Sequence, residues 1–206
     1  METTFILLAV FVVWQVMRVR YQRAHIALLG GHLAGLRLEK HMETLTEGYK
    51  RAIGEESESR QLQVLETFAQ TERAVAAQLQ TLADAMHKER AQAAAMGTLA
   101  FCVPYVEHVL PAMARDFRVL LRVHAAGLRH VVDNEDGLDP KRRAFHLAAE
   151  LYLFQHSCHW FCKSRAVADA RLAVRHQVKH AKVLDSVSAV TRRAYLGWLQ
   201  GDGVQG

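Results

Sequence analysis

The stretch that most constrains this chain is Thr3 to Met17, TTFILLAVFVVWQVM, fifteen residues without a charge, closed on the C-terminal side by Arg18, Arg20 and Arg23. A membrane-spanning helix wants about 20 apolar residues, whereas a run of 10–14 is more often a signal-sequence core or a buried helix. This run falls between the two lengths. Val19 and Tyr21 extend it if the three arginines bend their long side chains toward the polar boundary. A secretory signal would carry positive charge before its apolar core and small residues after it, but here Glu2 precedes, arginines follow, and no Ala-x-Ala-like site appears. The expectation is therefore an uncleaved anchor over residues 1–23, with the arginines as membrane-boundary residues. The tendency of positive charge to stay on the cytoplasmic side predicts a single pass through the inner membrane, N-terminus outside and body inside. The competing expectation is an N-terminal core helix of a soluble protein.

The rest of the chain reads as helix. Only three prolines occur in 206 residues, half of which are apolar, and the abundance of Ala, Leu, Arg, Glu and Gln over Ile favours helix over strand. The predicted fold class is all-α: an N-terminal single transmembrane helix, a long coiled-coil-like helix and a C-terminal helical bundle. The three cysteines, Cys102, Cys158 and Cys162, are an odd number in a chain too large to need stapling, which predicts free thiols and a reducing compartment.

Residues 24–56 form a juxtamembrane helix with apolar Ile26, Leu29, Leu33, Leu36 and Leu45. Gly31 and Gly35 have the small-xxx-small spacing that lets helices approach closely, although ordinary packing or a kink reads as well. The run Gly54-Glu55-Glu56-Ser57-Glu58-Ser59 breaks the pattern, and Ser57 or Ser59 can cap the next helix. Residues 57–97 then carry the clearest periodicity: Leu65, Phe68, Glu72, Val75, Leu79, Leu82, Met86, Glu89, Ala93 and Met96 alternate at spacings of three and four, as heptad a and d positions do. Such a seam must be covered. It predicts either a coiled coil with a second copy or a partner, through Leu65, Phe68, Val75, Leu79, Leu82 and Met86, or a hairpin with a helix of the same chain.

Residues 98–200 are expected to form a helical bundle. Thr98 to Met113 is apolar, but Pro104 and Pro111 would kink it and Glu107 with His108 would be costly in lipid, so a buried bent helix is expected. Glu107 and His108 are adjacent acid and imidazole, yet helix neighbours point about 100° apart, so adjacency makes no dyad. Phe117, Leu120, Leu121, Leu128 and Val131 form the stripe of the next helix. Residues 133–139, DNEDGLD, make an acidic loop without the spacing of a calcium loop, and Asp139-Pro140 starts a helix apolar nearly all round.

Within that helix His156, Cys158, His159 and Cys162 are four zinc-type ligands in seven residues. The helical angle separates the histidine pair from the cysteine pair by roughly 110°, so one helix cannot close all four on one metal. Closure would need His108, His124 or Cys102 from elsewhere, and the reading taken is buried thiols and hydrogen-bonded histidines: no metal, no cofactor.

A last helix is expected from Ser164 to about Gln200, with Val167, Ala170, Val174, Val178 and Ala181 as its apolar stripe and Arg171, Arg175, Lys179 and Lys182 beside it. Residues 163–200 hold eight Lys/Arg against two Asp, while residues 24–162 hold fifteen against seventeen Asp/Glu, so the basicity is local. Beside a membrane it implies anionic lipid or a protein partner, with nucleic acid as the less favoured choice. Residues 201–206, GDGVQG, form a short flexible tail.

No phosphate loop, dinucleotide fingerprint, nucleophile elbow, zinc-protease motif or paired di-iron motif occurs. The expected function is a non-catalytic, membrane-anchored helical scaffold or adaptor, a subunit of a membrane-associated complex. The alternatives are a metal- or haem-binding bundle with a redox or sensing role, and a membrane-tethered nucleic-acid-binding protein.

Overall fold

Helix formation follows the sequence pattern except where apolar residues lose their period. The computed structural model describes residues 2–201, and it is 76% helical, with ten helices and almost no sheet. They are α1 (Glu2–Leu33), α2 (Leu38–Ile53), α3 (Glu58–Glu66), α4 (Ala69–His87), α5 (Val106–Val109), α6 (Phe117–Val132), α7 (Pro140–Cys162), α8 (Arg165–His176), α9 (His180–Ser186) and α10 (Ala189–Gln200). Two three-residue strands, β1 (Ala95–Gly97) and β2 (Ala114–Asp116), pair antiparallel with Ala95 opposite Asp116 and Gly97 opposite Ala114.

α1 runs without a break through the expected boundary at residues 23 and 24. Its first part is bare, with Phe5, Leu7 and Val10 exposed, while Tyr21, Gln22, His25 and Leu29 are buried against the body. From Leu29 to Trp198 the buried apolar side chains form one core, so residues 24–200 pack together as a single body. Gly30, Gly31 and Gly35 have open space where a Cβ would stand, so the small-residue spacing marks no close helix approach.

The heptad seam is filled from within. The sequence pattern over 57–97 is not one rod: the chain breaks at Thr67 and Phe68 and α4 ends at His87. Leu65, Val75, Leu79, Leu82 and Met86 are fully buried, chiefly because α4 packs on α6 and α2. Phe68 seats its ring against Gly48 and edge-on to Tyr49, where any Cβ at position 48 would overlap it. The seam offers no free face for a second copy. Glu72, the polar interruption of the heptads, is buried as well: Tyr49 Oη donates to its Oε1 at 2.7 Å, and Arg143 Nη2 lies 2.9 Å from Oε2, off-line for a hydrogen bond. A carboxylate can sit inside a core when it is paired in this way.

α6 and α7 start where the sequence places caps. Asp116 accepts from Arg118 N and Asp139 accepts from Arg142 N, with Pro140 in the first turn. Phe117, Leu120, Leu121, Leu128 and Val131 are buried as their spacing predicts. α6 approaches α10 closely at Gly127, where a Cβ would overlap the Thr191 hydroxyl.

Two expectations fail. Thr98 to Met113 is not a buried bent helix but an excursion from the β1–β2 pair, closed at its base by Thr98 N donating to Met113 O at 2.8 Å. Its prolines prevent a continuous helix and leave only α5 and a single 3-10 turn at Pro111–Met113. The last helix is three. Gln177 adopts the left-handed conformation (φ 54°) after α8, and Ser188 restarts the chain by capping Thr191 N, so the helical phase is reset twice. The expected stripe is therefore split: Ala170, Val174 and Ala181 are exposed, Val174 to 84%, Val167 is half-buried, and Val178 packs against the core. The buried apolar positions are Ala168 and Leu172 on α8, Val183 on α9, Val187 after it, and Tyr195 and Trp198 on α10. Gly201 caps α10 in the left-handed region (φ 90°), and the rest of the expected tail, 202–206, lies outside the described residues.

Candidate functional site

Two features of the body are built to meet something else: the junction where α1 leaves it, and a pocket behind that junction. At the junction Tyr21 Oη donates to Ala95 O at 3.2 Å, Gln22 Nε2 donates to Lys163 O at 3.2 Å, and His25 Nδ1 lies 3.1 Å from Phe161 O. The His25 ring stacks on Phe161, which stacks in turn on Phe117. Three polar contacts and an aromatic stack lock the second part of α1 to α7 and β1. The first part, Glu2 to Arg20, is exposed except at Gln15 and at Arg18, which is half-buried where the body begins. Arg18 lies over the Trp14 ring, 5.6 Å from its centroid, and Arg20 and Arg23 are exposed. The three arginines thus stand at the transition from bare to docked helix. Among the described residues α1 is the one helix long and apolar enough to cross a membrane.

The pocket, of about 290 Å3, lies between α1, α2, α7 and the end of α8. Leu29 and Leu33 of α1, Leu38 and Met42 of α2, and Phe154, Cys158 and Cys162 of α7 supply its wall, with Glu39, Glu43, His159, Arg175 and His176 among its polar residues. Arg175 Nη2 lies 3.7 Å from Glu43 Oε1, and His176 Nε2 lies 2.8 Å from Gln155 Oε1. Burial pushes the Cys158 thiol well up and the Cys162 thiol up to about 11. Both therefore stay protonated at neutral pH and behave as apolar wall rather than as thiolate nucleophiles or ligands.

The four-residue His/Cys cluster divides, but not into the expected histidine pair and cysteine pair: His159 lies on the side of the two cysteines and His156 stands apart. His156 points into the core, where its Nε2 lies 2.8 Å from Asp169 Oδ1 and its ring stacks on His180. Cys158, His159 and Cys162 face the pocket, and Arg171 Nη1 lies 3.2 Å from His159 Nδ1. Among the described residues no three His, Cys, Asp or Glu side chains are grouped to hold a metal ion. His124 Nε2 lies 2.9 Å from Ser157 Oγ, a pairing that elsewhere activates a nucleophile. Here the Ser157 hydroxyl donates to Leu153 O at 3.0 Å, so the histidine must donate to it, and both groups are buried. A hydroxyl whose proton is committed to a carbonyl is not being deprotonated by the imidazole. Glu107 and His108 also form no catalytic pair: their nearest atoms are 3.8 Å apart, and Glu107 lies 3.4 Å from Tyr21 Oη, which donates to it.

Of the expected binding residues, Arg171 and Arg175 share one exposed face of α8 with Val174 between them, and Lys179 and Lys182 follow around the break on the loop and α9. Lys179 and Lys182 make no ion pair among the described residues. The pocket residues Leu38, Met42, Glu39 and Glu43 are missing from the sequence reading. Leu38 and Met42 stand at i, i+4 on α2, as Leu29 and Leu33 do on α1, and that repeat was the available signal.

No family model, no curated protein and no solved structure matches this chain.

Proposed function

We propose that this protein is a membrane-anchored, non-catalytic helical adaptor, held by the first part of α1 in the inner membrane with its body on the cytoplasmic side. The observation that carries the reading is one helix divided between two environments. Residues 2–20 at 1.5 Å each extend about 28 Å, close to the roughly 30 Å hydrocarbon core of a bilayer, and they are bare, whereas residues 21–33 are fixed to the body. A helix apolar all round with no protein cover needs another apolar solvent. The absence of catalytic motifs, the protonated pocket thiols and the committed Ser157 hydroxyl favour binding over chemistry. Because the heptad seam is consumed by the core, partner capture is assigned to the exposed α8–α9 face, where Arg171, Arg175, Lys179 and Lys182 favour an acidic partner.

Fractionation of cells producing the full chain tests the anchor. The protein is expected in the membrane pellet after carbonate washing, with a C-terminal tag protected from protease added to spheroplasts. Recovery in the soluble fraction overturns the anchor, and digestion of the tag overturns the orientation. Mild-detergent purification tests the adaptor role: a stoichiometric partner retained by the native chain should be lost from Arg171→Glu/Arg175→Glu.

The pocket favours a second reading, a membrane-anchored receptor for a small apolar molecule, since largely preformed apolar cavities with a few convergent polar groups are the usual form of such sites. Native mass spectrometry of the purified protein, with Met42→Trp to fill the cavity, tests it by the loss of a bound mass.

A further inference from the structure

The excursion between β1 and β2 places a second apolar surface beside the point where α1 leaves the body. From Phe101 to Val106 the chain alternates: Cys102, Pro104 and Val106 are buried, while Phe101, Val103 and Tyr105 are exposed. An extended segment on a water-facing surface would carry polar residues at the outward positions. Here they are apolar, with Phe101 75% exposed, and the pattern continues into Val109 at 76%, Leu110 and Met113. Apolar residues scattered singly over a surface need no explanation, but a contiguous set in one short excursion does.

Its position is fixed relative to α1. The Tyr105 ring meets Tyr21 edge-on at 5.2 Å, and Tyr21 also donates to Glu107 and to Ala95 O. Tyr105 is held in the left-handed region (φ 58°), a conformation that costs a bulky residue energy and persists where surroundings impose it. Tyr21, Phe101, Cys102, Val103 and Lys163 line one small cavity here, and Arg18 stands about one helical turn before Tyr21. Trp160 Nε1 donates to Gly97 O and Arg115 Nε donates to Trp198 O, so the base of the excursion is tied to α7 and α10. The base of the excursion is thus fixed to the body, and Tyr105 packs about one helical turn beyond Arg18, the first of the arginines that close the apolar run.

We infer that the outward row of Phe101, Val103, Tyr105, Val109, Leu110 and Met113 is a membrane-dipping surface that inserts into the headgroup boundary of the same bilayer α1 crosses. The inference rests on the anchor reading. Continuity with α1 names the occupant: a bilayer entered at Arg18 meets this row at its face. The chemistry agrees, because apolar and aromatic side chains beside the arginines that close the apolar run suit an anionic interface. Glu107, the one carboxylate of the excursion, turns inward to Tyr21 and is largely buried, so it does not oppose contact with lipid.

The test uses the full chain reconstituted in vesicles of phosphatidylcholine with a minority of phosphatidylglycerol, the phosphatidylcholine brominated near the headgroup end of its acyl chains. Tryptophan is introduced singly as Phe101→Trp or Val109→Trp, and the emission of each variant is compared with that of the native chain. Native Trp14 reports α1; removing it as Trp14→Phe isolates its share. The added emission is expected to be blue-shifted and quenched to an extent comparable with Trp14. If Trp14 is quenched and the added tryptophans are not, the anchor stands and the dipping surface is overturned. A blue shift without quenching assigns the row to a second copy or protein partner and overturns it equally. If Trp14 itself escapes quenching, the anchor reading fails and this one with it.

Discussion

The first part of α1 is the longest uncharged apolar run of the chain and the heptad seam of α3 and α4 its clearest periodicity, and they meet opposite fates. Along α1 apolar residues cover every side of the helix, so no choice of face could bury them all against one neighbour, and residues 2–20 stay uncovered. In the seam the apolar residues recur on one side, and Leu79 and Leu82 vanish into the core against α6. Apolar content alone predicts neither outcome. A period invites a partner on one face, here the chain itself. A helix apolar all round needs cover on every side, which α7 finds inside the body and the first part of α1 does not find among the described residues.

Charge placed in each region separates them most sharply. Leu82→Asp puts a carboxylate where nothing can solvate it, at a cost above about 4 kcal/mol out of the 5–15 kcal/mol that typically holds a fold. Helical circular dichroism and the cooperative urea transition should both be lost. Phe11→Arg should leave both unchanged and instead reduce carbonate-resistant membrane association, as about 3 kcal/mol of insertion free energy is forfeited. If Phe11→Arg unfolds the body, or if Leu82→Asp folds and only changes oligomeric state, the contrast collapses.

The polar groups of the core sharpen the same comparison from inside. Arg143→Met strands Glu72 with Tyr49 as its only partner and should cost about 3–5 kcal/mol, read as a lower urea midpoint. Acid should act on the core histidines. Burial first, and then His156, lowers His124 to about 3; burial and then His180 lowers His156 to about 4; burial lowers His180 as well. These groups are protonated in the unfolded chain below about pH 6.5 but not in the native one, so their contribution is complete above that pH and is lost as pH falls toward 4. Glu150 opposes them. Burial raises it to about 7, so the native chain keeps a proton that the unfolded one has released, and its contribution falls as pH rises from about 4.5 to 7. Three histidines outweigh one carboxyl. Urea midpoints should fall from pH 7 to 5, and more steeply in Glu150→Gln. The smallest effect expected is from Gly127→Ala, where overlap with Thr191 should cost about 1–3 kcal/mol by overpacking, against no change for Gly31→Ala at its open position.

What the sequence made legible follows from how local the cause was. The all-α class, the stripe of α6, the start of α7 at Asp139-Pro140 and the face separation of His156 from Cys158 all depend on periodicity or capping within one element. The breaks at Gln177 and Ser188 use neither glycine nor proline, so the sequence predicts one basic helix where three exist, and its apolar stripe loses phase with the core at Val174. β1 and β2 are too short to leave a period, and without them the excursion at 98–113 reads as a helix spoiled by prolines. The pocket escaped because its wall comes from α1, α2, α7 and α8, and only the paired i, i+4 leucines and methionine hint at it. The seam was legible as a seam, but whether its cover was another copy or α6 depended on packing across the whole body.

That α1 is unbroken from its bare part into its docked part has a mechanical consequence. Between Arg20 and Tyr21 there is no swivel, so the heading of the body relative to the first part of α1 is set by helical phase alone. Inserting a single alanine there would advance the body by about 1.5 Å and turn it by about 100°. If α1 is an anchor, the exposed face of α8 would then point to a different quarter of the membrane plane. A complex that requires a fixed heading would lose its fit, although every residue on the contacting surfaces was unchanged.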